Sequence, residues 1–204
     1  MDISLKIDFI NKTYRKDECC VFRKVKGPFG GLSNMAGGFP LVVNGIKIRS
    51  TESLYQVCRF HNFPEIQEKI ILQKSPMFAK FVSKSYKNQS RRDWDDIQVE
   101  IMYWALRLKL AQNLFTFGNL LKSTTGTNIV EHSRNNEFWG TVSDKGDDSI
   151  LIGANVLGQL LELLRDDFQA TILDGVITIP PPDIPDLFLY GKKIQEVVVY
   201  NDRD

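Results

Sequence analysis

The side chain best placed for chemistry is Glu52, in the run Ser50-Thr51-Glu52-Ser53-Leu54-Tyr55-Gln56. Ser50 or Thr51 can cap a helix running to about Phe60, because either hydroxyl accepts a bond from a free amide of the first turn. Glu52, Tyr55, Gln56 and Arg59 then share one face at spacings of three, four and seven, while Leu54, Val57 and Cys58 point into a core. At the start of a helix the dipole and local amides favour an ionised carboxylate, unless burial overrides both. An ionised carboxylate serves as a general base or as the partner of an oxocarbenium-like sugar cation; a proton donor needs the opposite shift. Taken alone, the pattern is more simply that of a glutamate that only stabilises its own helix.

Lys80, Lys84, Lys87, Arg91 and Arg92 fall within thirteen residues that contain no acid, with Tyr86 among them. Such a run is either a solvated face or a seat for phosphate or pyrophosphate. The net charge of +1 lacks the footprint of a protein held on DNA mainly by phosphate contacts. Trp94, in Arg91-Arg92-Asp93-Trp94-Asp95, and Trp139, in Asn135-Asn136-Glu137-Phe138-Trp139-Gly140, stand in polar surroundings. Each either stacks on a base or ribose or packs in a core. Asn136 and Glu137 can orient a ribose hydroxyl or a water, or form a polar turn. Gly153-Ala154-Asn155-Val156-Leu157-Gly158 opens a helix whose first amides can receive a phosphate. No P-loop, serine-hydrolase elbow or zincin motif occurs. Cys19, Cys20 and Cys58 match neither a redox nor a zinc spacing, so reduced thiols and no metal are expected.

The elements that must position these residues follow from length and pattern. A chain of 204 residues suits one domain, with or without an arm, and its apolar runs are too short to span a bilayer. With no signal pattern at Met1, a cytoplasmic protein is expected. Weak alternation predicts a strand over residues 2–9. Five glycines and two prolines in residues 26–40 exclude a regular helix there and let backbone amides approach a ligand. Asn44-Gly45 between Leu41-Val42-Val43 and Ile46-Lys47-Ile48 predicts a hairpin with a type I′ turn. Asp93 can cap the longest helix, with Ile97, Ile101, Trp104, Leu108, Ala111 and Phe115 as its core stripe. A third helix starts near Asn155 and turns Leu157, Leu160, Leu161, Leu164 and Phe168 inward. A second hairpin is expected from residues 170–173 against 176–179, then a proline-rich connector over 180–185 and a last strand over 194–200. Residues 1–169 thus read as an α+β domain, and 170–204 as an arm that packs on it or contacts a partner.

Taken in order, Gly31-Leu32-Ser33-Asn34, Gly45, Ser50-Thr51-Glu52 with Tyr55-Gln56, Ser75-Pro76-Met77, Arg92-Asp93-Trp94, Ala105-Leu106-Arg107 with Lys109, Ile129-Val130-Glu131, Phe138-Trp139-Gly140, and Asn155 with Leu157-Gly158 resemble the NADAR, or YbiA-like, family over roughly residues 22–166. The resemblance implies a mainly helical α+β single domain with short strands and hairpins, hydrolysing N-glycosidic bonds without a metal or other cofactor. It implies two substrate classes: ADP-ribose on guanine bases of nucleic acid, and phosphorylated ribosylamino-pyrimidine intermediates of riboflavin synthesis. The glycine loop looks most like the branch acting as antitoxin beside a DarT-like DNA ADP-ribosyltransferase, which makes ADP-ribosylated DNA the expected partner, with the cognate toxin a further one and no membrane. Carried over by position, Glu52 matches the family's catalytic glutamate, Ser33 and Asn34 its ligand-binding pair, and Trp94 and Trp139 its two tryptophans. Lys84 or Arg91, with the glycine loop, would hold the pyrophosphate. Lys24, ahead of that loop, is a second catalytic candidate whose amine can attack the open aldehyde form of the ribose, with Lys109 competing for the role. The chain departs from the family in having Ser53 after the glutamate, Asn136 in place of an aspartate, and Ser83-Lys84 in place of a glycine-arginine. An asparagine is neither acid nor base, so a two-carboxylate mechanism would need Glu137 turned inward. A non-catalytic ADP-ribose reader or toxin-binding module is the remaining expectation.

Overall fold

The computed structural model describes residues 3–171 and 176–200. The fold is mixed α+β. Its first half runs β1 (Lys12–Arg15), β2 (Cys19–Phe22), β3 (Leu41–Val43), β4 (Ile46–Ile48), α1 (Thr51–Val57), α2 (Pro64–Ile71), α3 (Pro76–Ser85) and α4 (Trp94–Gln112). There follow α5 (Asn119–Lys122), β5 (Asn128–Glu131), β6 (Val142–Ser143), β7 (Ile150–Gly153), α6 (Val156–Thr171), β8 (Val176–Ile179), β9 (Phe188–Leu189), β10 (Lys192–Lys193) and β11 (Val197–Tyr200). The chain divides into two compact units, Met1–Ser33 with Phe115–Ala170, and Asn34–Leu114 with Thr171–Asp204. Among the described residues, no helix is long and apolar enough to cross a membrane.

In the first unit β7 lies between β1 and β6, antiparallel to both, and β2 pairs in parallel with β5, Cys20 opposite Ile129. The strand expected over residues 2–9 does not form. Ile3–Lys6 is a 3-10 turn, and Ile3 and Ile7 are buried while Phe9 is exposed. The backbone of Asp8 is paired instead by a side chain: its N–H donates to Gln159 Oε1 at 2.9 Å and its carbonyl accepts from Gln159 Nε2 at 2.6 Å. In α6 the expected stripe is buried at Leu157, Leu160, Leu161 and Leu164; the side chain of Phe168 lies outside the described residues.

In the second unit β3 and β4 form the expected hairpin, Val43 opposite Ile46, with Asn44 at φ 49° and Gly45 at φ 76°. Both turn residues are left-handed, as a type I′ turn requires. The central helix α4 is buried on nearly every side, from Ile101, Met102 and Trp104 to Leu108, Lys109 and Ala111. The expected stripe runs too far: α4 ends at Gln112, Phe115 is exposed, and Ile97 is only half-buried. Asp93 holds the N-cap position without a side-chain cap bond, because Arg91 takes both carboxylate oxygens, Nε to Oδ1 at 2.6 Å and Nη2 to Oδ2 at 2.8 Å.

The C-terminal segment belongs to this second unit. β8 pairs with β11, Val176 opposite Tyr200, and residues 170 and 171 of the expected partner strand are helical. Helix α6 continues through Thr171; residues 172–175, which hold the rest of that expected strand and the expected turn at 174–175, lie outside the described residues. β8 and β11 pack on α4, with Ile177 and Ile179 buried. A further hairpin, β9 with β10, turns on Tyr190 at φ 50° and Gly191 at φ 72°. Gln67 of α2 holds it, donating to the Phe188 carbonyl at 2.8 Å and accepting from the Tyr190 N–H at 2.7 Å.

Candidate active site

The Ser50 hydroxyl accepts from the Ser53 N–H at 3.1 Å and so caps α1, fixing where Glu52 falls. The Glu52 N–H donates to the Asn34 carbonyl at 3.0 Å, tying the helix start to the chain after the glycine loop. Every residue of α1 is buried, because the helix packs against α2, α3 and α4. The polar face anticipated from the spacing therefore points into the protein, and Glu52 is only 1% exposed.

Its two oxygens are held separately. Asn34 Nδ2 donates to Oε2 at 2.5 Å, and Gln56 Nε2 donates to Oε1 at 2.8 Å from one helical turn on. The Ser83 hydroxyl of α3 donates in turn to Gln56 Oε1. Lys80, three residues earlier on α3 and largely exposed, brings its Nζ to 3.8 Å from Glu52 Oε1. Burial raises the Glu52 pKa above the ordinary carboxylate value, with Lys80, the Gln56 bond and Arg59 opposing it. Burial is the exception that the helix-start argument allowed for, and it shifts the carboxyl toward its protonated form. A carboxyl shifted upward by burial and fixed by two amide donors is suited to accepting a proton.

Trp94 is 4% exposed, its ring edge-on to Tyr55 at 4.9 Å with the Arg59 guanidinium 4.9 Å above it. Its indole is thus a wall behind α1, and the expectation of a base-stacking face is corrected by this burial. Lys84 is exposed on α3, one turn beyond Lys80. Arg91 does not serve a pyrophosphate: besides Asp93 it donates to the Pro185 carbonyl at 2.9 Å and is buried. Lys109 is fully buried with its Nζ 4.5 Å from the Phe39 ring centroid, and desolvation pushes its pKa well down.

In the first unit, Lys24 is exposed in a turn whose carbonyl accepts the Gly27 N–H at 2.9 Å. The amides of Gly27, Gly30, Leu32 and Ser33 all bond to carbonyls within the loop in successive turns, so these four are not offered to a ligand. Ser33 is buried and closes the last of these turns. Asn136 Oδ1 accepts from both the Phe138 N–H at 3.1 Å and the Trp139 N–H at 2.9 Å, which makes it the cap of its loop, not a free group for ribose. Trp139 is half-buried and edge-on to Phe138. Glu137 points outward to Asn11 Nδ2 at 3.3 Å and is exposed, so it does not replace the missing aspartate as an inward carboxylate. At the start of α6 the N–H groups of Val156 and Leu157 donate to the carbonyls of Phe138 and Trp139, leaving neither for a phosphate.

A family model described as the NADAR domain matches residues 21–169. The chain belongs to the NADAR domain family. Among relatives of this NADAR domain, N-glycosidase YbiA of Escherichia coli (strain K12) is 30% identical over 151 residues, covering 74% of this chain and 89% of that protein. A riboflavin biosynthesis protein of Vibrio vulnificus (strain YJ016) is 34% identical over 129 residues, covering 63% of this chain. This match spans only 33% of the Vibrio protein's own length. The NMR structure of E. coli YbiA superposes with a TM-score of 0.63 at 27% identity, over 77% of this chain and 88% of that one.

Two departures from the NADAR pattern acquire a physical reading. At Asn136 the observed work is to accept two amides, which a side-chain carbonyl does as well as a carboxylate. At Ser83 the hydroxyl braces Gln56, which an ordinary glycine cannot do. Asn155 and Gly158 are structural: the Asn155 side chain bridges the Ile129 carbonyl and the Glu131 N–H, and a Cβ at Gly158 would collide with both the Asn155 side chain and that carbonyl. The residues that sequence reasoning did not assign to the site are Gln56, Lys80 and Ser83. The i, i+4 spacing of Glu52 and Gln56 was a visible signal for the first; nothing local says which face of α3 meets α1.

Proposed function

We propose that this NADAR domain is an N-glycosidase that removes ADP-ribose from guanine in DNA, acting as antitoxin to a DNA ADP-ribosyltransferase. The carrying observation is Glu52, buried, held at both oxygens, and bordered by Lys80 in a stretch without an acid from Lys69 to Arg92. An isolated buried carboxylate answers a reaction at a single carbon, and the basic border answers the pyrophosphate joined to it. In the step proposed, a water adds to the ribose C1 and gives a proton to the Glu52 carboxylate. The C1–N bond breaks with its electron pair going to the guanine nitrogen, and that nitrogen takes up the proton. The products are ADP-ribose and an unmodified guanine, with no oxidant or reductant needed.

An oligonucleotide carrying ADP-ribosylguanine should lose the mass of ADP-ribose on incubation with the protein and regain its unmodified mass. No change at high protein concentration refutes the reading. The second reading, hydrolysis of a phosphorylated ribosylamino-pyrimidine, is favoured by the names of the Vibrio relative and of a chloroplastic riboflavin biosynthesis protein of Arabidopsis thaliana, 37% identical over 108 residues. Turnover of that pyrimidine with the oligonucleotide left intact would establish it instead. Near-normal turnover by Glu52→Gln moves the catalytic role to Lys24 or another group.

A further inference from the structure

Helix α3 carries the Lys80 and Ser83 side chains that meet the Glu52 network, and its remaining circumference is unlike that of an ordinary surface helix. Ala79 and Ser83 are buried, and at about 100° per residue the positions that follow around the helix are Pro76, Lys80, Lys84, Met77, Phe81, Ser85 and Phe78. Met77 is 65% exposed, Phe78 63% and Phe81 68%, three large apolar side chains turned to solvent on ten residues of helix. Their neighbours in sequence are cationic: Lys74, Lys80, Lys84, Lys87 and Arg92 are exposed, and no Asp or Glu occurs between Glu68 and Asp93. Scattered exposed apolar residues need no explanation, but a contiguous set beside a catalytic candidate does.

We infer that α3 is a platform for single-stranded nucleic acid, with Phe78 and Phe81 stacking bases that flank the target nucleotide and Lys84 and Lys87 tracking its phosphates. A block of rings adjoining a block of cations is what an unpaired strand needs. Aromatic faces take bases of any sequence once they are unstacked, and lysines take the backbone. A duplex hides its base faces and would use only the lysines. An acidic protein would match the charge but leave two phenylalanine rings without a stated partner. The order around the helix also runs from the rings through Lys84 to Lys80, and so leads to Glu52. The platform rests on the reading of Glu52 as acting on a nucleotide, and it sharpens the substrate from DNA in general to an unpaired strand.

The test uses the full chain and unmodified twelve-residue oligonucleotides, so that strand binding is read apart from hydrolysis. Fluorescence anisotropy should give tighter binding to the single strand than to the same sequence in duplex. Phe78→Ala and Phe81→Ala should each weaken single-strand binding by roughly 5- to 100-fold, leaving the duplex little changed. Lys84→Ala should reduce the salt slope by about 0.7. Both rings are exposed, so the variants keep the thermal unfolding midpoint of the parent, which circular dichroism checks. On substrate, the double variant Phe78→Ala/Phe81→Ala should cleave an ADP-ribosylated guanosine as the parent does but lose rate on the modified oligonucleotide. Binding of the strand without any cleavage keeps the platform and refutes the glycosidase reading. Equal binding of duplex and single strand, or indifference to both phenylalanine variants, overturns the platform. So does a protein dimer in light scattering that the double variant abolishes, which would make this face a contact between copies of the chain.

Discussion

Replacing Glu52 by Gln and by Ala separates the burial of its charge from the hydrogen bonds it accepts. Removal to Ala leaves Asn34 Nδ2 and Gln56 Nε2, both on buried residues, without their acceptors. Each such orphan costs about 1–3 kcal/mol, so Glu52→Ala should lose about 2–6 kcal/mol of stability. Glu52→Gln behaves differently because the chain of bonds can reverse. The new carbonyl still accepts from Asn34, while the Gln56 amide turns to accept from the new N–H and to donate to the Ser83 hydroxyl, which also accepts. Since the folded pKa of Glu52 lies above its unfolded value of about 4.5, the carboxyl supports folding fully below that value and loses this support as pH rises through the folded pKa. The neutral amide has no such loss. Glu52→Gln should therefore be at least as stable as the parent at pH 7, and any advantage should vanish near pH 4. Turnover should nonetheless fall by at least ~100-fold. Urea unfolding at the two pH values, alongside the mass assay, measures both. A Glu52→Gln protein less stable than the parent by more than ~1 kcal/mol at pH 7 would refute the argument, because the carboxylate would then be a net-favourable ion in its place.

Lys80→Met removes the largest influence opposing the upward shift of Glu52, so the acidic limb of the kcat/KM profile should move to higher pH; an unmoved limb would detach Lys80 from the carboxyl. Lys109→Met removes a buried amine whose folded pKa lies well below its unfolded value of 10.5. Between those two values the parent loses stability as pH falls, so the variant should be the more stable at pH 7 and the gap should shrink by pH 10 in urea titrations. Asn136→Ala should cost about 1–2 kcal/mol through two uncapped amides, whereas Asn136→Asp should be close to neutral in thermal unfolding; equal losses would contradict the capping role.

What could be read from the sequence was local. Asn44-Gly45 requires left-handed φ at both residues, Ser50 offers a hydroxyl two residues before Glu52, and the leucines of α6 repeat at helical spacing, and each appears as expected. Tyr190-Gly191 makes a similar turn without a signal, because a tyrosine at φ 50° has no local preference to betray it. The inward turn of Glu52 depends on α2, α3 and α4 enclosing α1, a tertiary fact that spacing within α1 leaves open. Spacing defines a polar face and says nothing of what covers it. Trp94 is the converse: charged neighbours in sequence suggested solvent, yet Tyr55 and Arg59 enclose the ring. Residues 170 and 171, expected to open a strand, instead continue α6, where helix and strand compete over a short apolar run.

The four amides from Ala154 to Leu157 donate in turn to the carbonyls of Glu137, Gly140, Phe138 and Trp139. Freeing the Trp139 loop thus means opening all four, at about 0.5–1.5 kcal/mol each, which confines the open form to between roughly one molecule in 30 and roughly one in 25,000. Amide protons in the first turn of a helix ordinarily exchange with solvent readily; these four should be protected together and exchange together. The indole is therefore carried on a fixed bracket. Any ligand it contacts meets a surface already in its final shape, with association governed by diffusion and desolvation and not by the swing of a flap.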